Sequence, residues 1–406
     1  MRSCKAFTLA LLWLCPSFAV AETPVSSLSE SRLLAADNES ESVARVLDRL
    51  GLAAEGPDES NAMQFEFEGQ FRYTANLRGE PIEGEEDFAH GFSIRRLRGQ
   101  VRGHVGSDRV RYRLRAAFSS DGSLSFEYAM ISIVIDDRTV LDLGQFRGAL
   151  LHEERVGGLL QLAAGRSRLS GIFGQGFTQG IRVVHTRDRV RAFLEFTDGL
   201  DQSDTDFVDP GEADFAVTLR VDTRLGDAPW KDYASYISFP EAPAGVLLGI
   251  AGHFETAGET GFSEADRDLT VVTADATVLG GGWSAHAAGV WRRTDLAGMP
   301  TIDDFGVLAQ GSVFVEEQIE LFARVDTIWP GGDREGGADP FTTLTVGGNY
   351  FPIPRSHAIR LVADVQYLLD DFEGSSSLIG RSTNGAQLPD ADDGQIALRI
   401  QIQFRM

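Results

Sequence analysis

From Ala62 to Phe404 the chain repeatedly sets an apolar side chain on every second residue, and this period of two excludes most folds open to 406 residues. Met63, Phe65, Phe67, Gly69, Phe71 and Tyr73 alternate with Gln64, Glu66, Glu68, Gln70 and Arg72. Val110, Tyr112, Leu114 and Ala116 alternate with Arg109, Arg111, Arg113 and Arg115. Phe215, Val217, Leu219 and Val221 alternate with Ala216, Thr218, Arg220 and Asp222, and Ile396, Leu398, Ile400 and Ile402 with Arg399, Gln401 and Gln403. Such segments are strands with one apolar and one polar face.

The pattern predicts sixteen strands, at 62–75, 91–105, 108–119, 124–135, 138–147, 175–186, 189–198, 213–226, 245–256, 268–279, 282–294, 304–316, 318–329, 341–351, 356–369 and 394–404. Strands of about 10 residues suit a tilted path through a bilayer. A soluble β-sandwich or propeller also alternates, but its strands average about 5–6 residues. Connections differ in length in the same sense. Residues 105–109 and 186–189 are tight turns, whereas 78–90, 199–212, 257–267, 330–340 and 370–393 are long and rich in Asp, Glu and Gly. The expected fold is therefore all-β: a transmembrane antiparallel β-barrel of about sixteen strands, closed so that no backbone group is left unpaired in lipid.

The start of the chain fits export. Arg2 and Lys5 precede the apolar run Ala6 to Cys15, Pro16 breaks it, and Ala19-Val20-Ala21 has the small-x-small form of a cleavage site. We read 1–21 as a signal peptide, 22–60 as a periplasmic extension, and 61–406 as the barrel. Within the extension, Asn38 and Glu41 form a capping box ahead of Val43, Val46, Leu47 and Leu50, a short helix ended by Gly51. Both cysteines, Cys4 and Cys15, lie in the signal, so the mature chain has no thiolate chemistry.

The formal charge of −23 argues against nucleic acid as a partner. Acidic connections carry that charge, and their plain reading is a solvated surface; no twelve-residue calcium loop is present, and no metal or cofactor is expected. No G-x-S-x-G, H-E-x-x-H or G-x-x-x-x-G-K motif occurs, and the seven histidines are scattered singly, so an enzyme is not the reading.

The informative cluster is basic. Arg96, Arg98, Arg102 and His104 share the polar face of the second strand, and Arg109, Arg111, Arg113 and Arg115 that of the third. A tight turn makes these strands neighbours, so seven guanidiniums are expected along one lumen wall, where they would favour anions. The competing reading pairs them with carboxylates on other polar faces, such as Glu66, Glu68, Asp214, Asp222, Glu320 and Asp326. The 148–174 segment, with Arg155, Arg166 and Arg168, sits where a connection could fold inward and narrow the pore.

Several stretches resemble the phosphate-selective porin O and P family: Phe92 to Gly103, Arg109 to Arg115, Leu143-Gly144-Gln145-Phe146-Arg147, Gln175 to Arg182 and Glu320 to Asp326. The chain departs from that pattern at Gly148-Ala149-Leu150-Leu151, where the family usually has a Pro-Phe pair, and in having lysine only at Lys5 and Lys231. The resemblance implies a sixteen-stranded homotrimeric porin in the outer-membrane lipid bilayer, passing small anions such as phosphate through an arginine-lined lumen. A plugged structural or adhesive barrel, whose surface loops bind partners, is the alternative.

Overall fold

Alternation survives as sixteen strands because a closed antiparallel sheet pairs every backbone group while keeping one face for lipid and one for the interior. The computed structural model describes residues 61–78, 87–118, 122–206, 209, 211–258, 266–333, 339–370, 378 and 394–406. The expected signal peptide and the helix in 22–60 lie outside the described residues.

The strands are β1 (Ala62–Leu77), β2 (Phe88–Val105), β3 (Ser107–Phe118), β4 (Leu124–Val134), β5 (Thr139–Arg147), β6 (Phe177–Arg187), β7 (Val190–Thr197) and β8 (Phe215–Gly226). They continue as β9 (Gly245–Ala257), β10 (Arg267–Gly280), β11 (Trp283–Leu296), β12 (Ile302–Glu316), β13 (Ile319–Trp329), β14 (Phe341–Tyr350), β15 (Ile359–Leu368) and β16 (Ile396–Arg405). Each pairs antiparallel with its sequence neighbour, and β1 pairs with β16 to close the barrel. Each expected strand is present, with ends within a few residues of the predicted ones.

The face assignment also holds. Leu114 is 47 % exposed and Leu398 38 %, whereas Arg399 and Gln401 on the other face of β16 are each 1 % exposed. The exposed side is an apolar belt suited to lipid, and the interior combines many polar side chains with an apolar cluster. No helix among the described residues is long and apolar enough to cross a membrane.

Two connections enter the barrel from opposite ends. The first, between β5 and β6, contains the short helices α1 (His152–Arg155) and α2 (Arg168–Phe173). Leu150, Leu151, Leu169 and Phe173 on it pack against the inward residues Ala251, Val271, Val290, Leu308 and Ile328. Gly306 makes room: the Phe173 ring lies where a side chain at 306 would project. The second, 227–244 between β8 and β9, is long although it lies at the short-turn end, a feature the alternation did not predict. Pro229, Pro240 and Pro243 deny it regular ladder bonds. It meets the first connection where Tyr236 N donates to Leu160 O at 3.1 Å, and Tyr236 and Ile237 pack with Val156 and Leu162.

Candidate functional site: an arginine-lined lumen

The inward connection is fixed to the walls by hydrogen bonds from wall side chains to its backbone carbonyls. Arg72 Nη2 donates to Ala164 O (2.5 Å), Arg324 Nη1 to Gly165 O (2.8 Å) and Arg360 Nη1 to Gln161 O (2.7 Å). Arg220 Nη1 donates to Leu150 O (3.0 Å) and Arg292 Nη1 to Ile172 O (3.2 Å). These arginines satisfy carbonyls that would otherwise be stranded away from water, where an unpaired polar group costs about 1–3 kcal/mol. They act as structural anchors on the β8–β16 side and, through Arg72, on the adjoining β1. Carboxylates there are held as tightly: Arg399 and Asp364 form a two-bond pair (2.6 and 3.0 Å), and Arg220 bridges Asp222 (2.7 Å) and Asp275 (2.8 and 2.9 Å).

Along β2–β4, Arg102 keeps half of its side-chain surface exposed. Arg96, Arg98, Arg102, Arg113 and Arg115 all lie on the inward face of this wall, as the period-two reading placed them. Their partners are carboxylates in part. Arg98 bonds Glu127 and lies 3.6 Å from Glu68; Arg115 pairs with Glu127 at 2.7 Å and Arg102 with Glu66 at 2.7 Å. Two of the six carboxylates that the sequence offered as wall partners, Glu66 and Glu68, therefore do pair with this cluster. Arg113 is held otherwise, by Gln100 Oε1 (2.7 Å) and over the Tyr128 ring, 3.7 Å from its centroid.

Arg109 and Arg111 separate from the group. Both are exposed near the β2–β3 turn, and Arg111 Nε donates to Asp108 O at 2.8 Å. They belong to the barrel rim, because they sit within a few residues of that turn. Arg168 also stands apart: its backbone N–H donates to Asp326 Oδ1 (3.0 Å) and its guanidinium lies over Phe341, on the β13–β14 side. Arg166 joins the wall cluster in space, its guanidinium donating to the carbonyls of Glu153, Glu154 and Val156 at 2.8–3.2 Å. Burial and the neighbouring Arg147 guanidinium pull Arg166 down to about 9, so it stays charged at neutral pH. Burial pushes Glu154 up, although Gln175 N (2.6 Å) and Gly176 N (3.1 Å) donate to it.

Strict alternation missed two wall residues, and both sit at β-bulges. The β1–β2 register slips between Gln70 and Phe71, so that Phe71 faces Ile94 while Gln70 faces Arg96. The extra residue is Arg95, and its guanidinium lies in the fields of Glu127 and Arg399. The β3–β4 register slips between Arg115 and Ala116, which brings Glu127 inward beside Tyr128. Arg95 and Arg96 have no ion-pair partner among the described residues. Arg96 reaches the inward connection, its guanidinium filling the space that Gly158 leaves open. No cluster of His, Cys, Asp and Glu suited to a metal ion occurs among the described residues.

No family model and no curated protein matches this sequence. Solved structures do. The anion-selective porin from Comamonas acidovorans matches with a TM-score of 0.58 and 11 % identity, over 86 % of this chain and 100 % of that one. OmpT, an outer-membrane protein of Vibrio cholerae, matches with a TM-score of 0.56 and 13 % identity over 86 % and 99 % of the two chains. The outer-membrane channel DcaP of Acinetobacter baumannii gives 0.54 and 10 % over 86 % and 100 %. The chain has the porin fold. With its apolar belt and closed sheet it is a membrane-embedded barrel of the outer-membrane type.

Proposed function

We propose that the chain is a passive outer-membrane pore for small hydrophilic solutes, with a preference for anions such as phosphate. The observation that carries this reading is the pair Arg95 and Arg96, two inward guanidiniums without ion-pair partners among the described residues, beside Arg98, Arg113, Arg115 and Arg166. Paired arginines such as Arg102 are neutralised locally, so the unpaired ones set the field that a passing ion meets. Charge in a water-filled constriction raises the local concentration of counter-ions. The similar anion-selective porin of Comamonas acidovorans supports the same preference, and the trimer form of Vibrio cholerae OmpT supports a homotrimer here.

A second reading has its own observation. The apolar packing of Leu150, Leu151, Leu169 and Phe173 on the wall fits a barrel that is plugged and acts through its surface loops. Conductance in a planar bilayer separates the two. A pore gives discrete current steps, and a plugged barrel gives none.

A further inference from the structure

Where the two inward connections meet, against β7–β9, they leave a cavity of about 100 Å³ lined by His152, Arg155, Arg191, Asp222, Trp230 and Tyr233, among others. We propose that this cavity is a binding site for one small oxyanion, a carboxylate or a phosphate, separate from the β2–β4 wall.

The charge balance favours an anion. Asp222 is already committed to two guanidiniums, Arg155 Nη1 at 2.6 Å and Arg220 Nε at 2.7 Å. Arg220 in turn holds Asp275. Four arginines, Arg155, Arg191, Arg220 and Arg224, thus stand against Asp222, Asp275 and, beside Arg155, Glu195, which Arg182 also holds at 3.5 Å. The excess charge falls on Arg191, whose Nε donates to Thr186 Oγ1 at 3.1 Å and whose guanidinium lies 4.3 Å from the Trp230 ring centroid. A guanidinium over an indole ring can still present terminal N–H groups to a further acceptor, as an oxyanion requires.

Polar capacity is left over around the cavity. Among the described residues neither ring nitrogen of His152 has a hydrogen-bond partner, and neither does Trp230 Nε1 or Tyr233 Oη. Buried groups of this kind are normally satisfied, and these three residues leave polar capacity unspent beside the cavity. The volume sets its size. The space is of the order that takes a few waters or one small anion. The floor and lid come from different elements, Arg155 from α1, Arg191 and Asp222 from the wall, and Trp230 and Tyr233 from the 227–244 connection. A bound anion would therefore fasten the two connections together.

The test uses the full chain folded in detergent, titrated calorimetrically with sodium acetate, sodium phosphate and, as the neutral control, glycerol. We expect saturable binding of at least one of the two anions and none of glycerol; the anion that binds decides between carboxylate and phosphate. Arg191→Gln should weaken binding at least tenfold, Arg191→Lys should recover part of it, and Arg96→Gln should change it less than twofold. Trp230→Phe should remove the accompanying fluorescence change. Equal affinity in Arg191→Gln and the parent, equal binding of glycerol, or no binding of either anion would overturn the site. Binding lost in Arg96→Gln instead would place the anion on the β2–β4 wall and also overturn it. Because the readout is binding and not current, a barrel that conducts nothing leaves this test intact.

Discussion

Changing Arg95 and Arg96 together to Gln removes two guanidiniums of the wall that have no ion-pair partner among the described residues, and its effect on selectivity follows from Coulomb's law. An ion passing about 5 Å from one unit charge in water gains or loses about 0.8 kcal/mol before screening. With a screening length of about 8 Å at 0.15 M salt, about 0.4 kcal/mol per charge remains. Two charges then contribute about 0.9 kcal/mol, favourable for chloride and unfavourable for potassium, a combined difference of about 1.8 kcal/mol. Since 1.4 kcal/mol is tenfold, the chloride-to-potassium permeability ratio should fall by about an order of magnitude. At 1 M salt the screening length is about 3 Å, and the effect should shrink to about threefold. The assay is the reversal potential of single channels in asymmetric KCl, at low and high salt. A double variant whose reversal potential matches the parent in dilute salt would show that these arginines do not face the conducting path, and the reasoning would fail.

Further outcomes follow from other parts of the barrel. Leu114→Arg places a charge on the lipid face and should cost roughly 2–4 kcal/mol if it sits near the bilayer midplane, read as a lowered urea midpoint in vesicles, whereas Arg109→Gln at the rim should cost under about 0.5 kcal/mol. Asp364→Ala strands Arg399 and frees Ala164 N, and should cost about 3–5 kcal/mol by the same assay; replacing both Asp364 and Arg399 by apolar residues should cost less than the single change. His357, in the β14–β15 connection and 4.9 Å from the Phe239 ring, is lowered to about 4 by burial and then by Arg360 and Arg405. A depressed histidine contributes stability that is full above its unfolded value near 6.5 and is lost as pH falls toward 4. His357→Phe should therefore flatten the stability profile between pH 6.5 and 4, and an unchanged slope would refute the assignment.

Much of this was legible in the sequence, for a physical reason. Lipid outside and water inside impose opposite chemistry on adjacent residues, so Leu114 and Arg113, or Leu398 and Arg399, announce their faces without any knowledge of register. The bulges hid the rest. At Arg95 and at Glu127 one extra residue breaks the alternation, and a strictly periodic reading discards the residues that the bulge turns inward. The inward connections were harder still. Leu150, Leu151, Leu169 and Phe173 follow no period of two, and their seat is a glycine, Gly306, far along the chain. Arg109 and Arg111 show the opposite error. They share the face of Arg113 and Arg115, but their depth is set by the distance to the turn, which a periodicity carries no record of.

The central claim is that the residual lumen along the β2–β4 wall conducts and that its uncompensated arginines favour anions. Single channels of the parent protein in a tenfold KCl gradient at low ionic strength test it directly. The account predicts discrete current steps with a reversal potential of the sign set by chloride, moving toward zero as both solutions are made more concentrated. Steps that reverse toward the potassium equilibrium potential, or a barrel that inserts and passes no current, would contradict it.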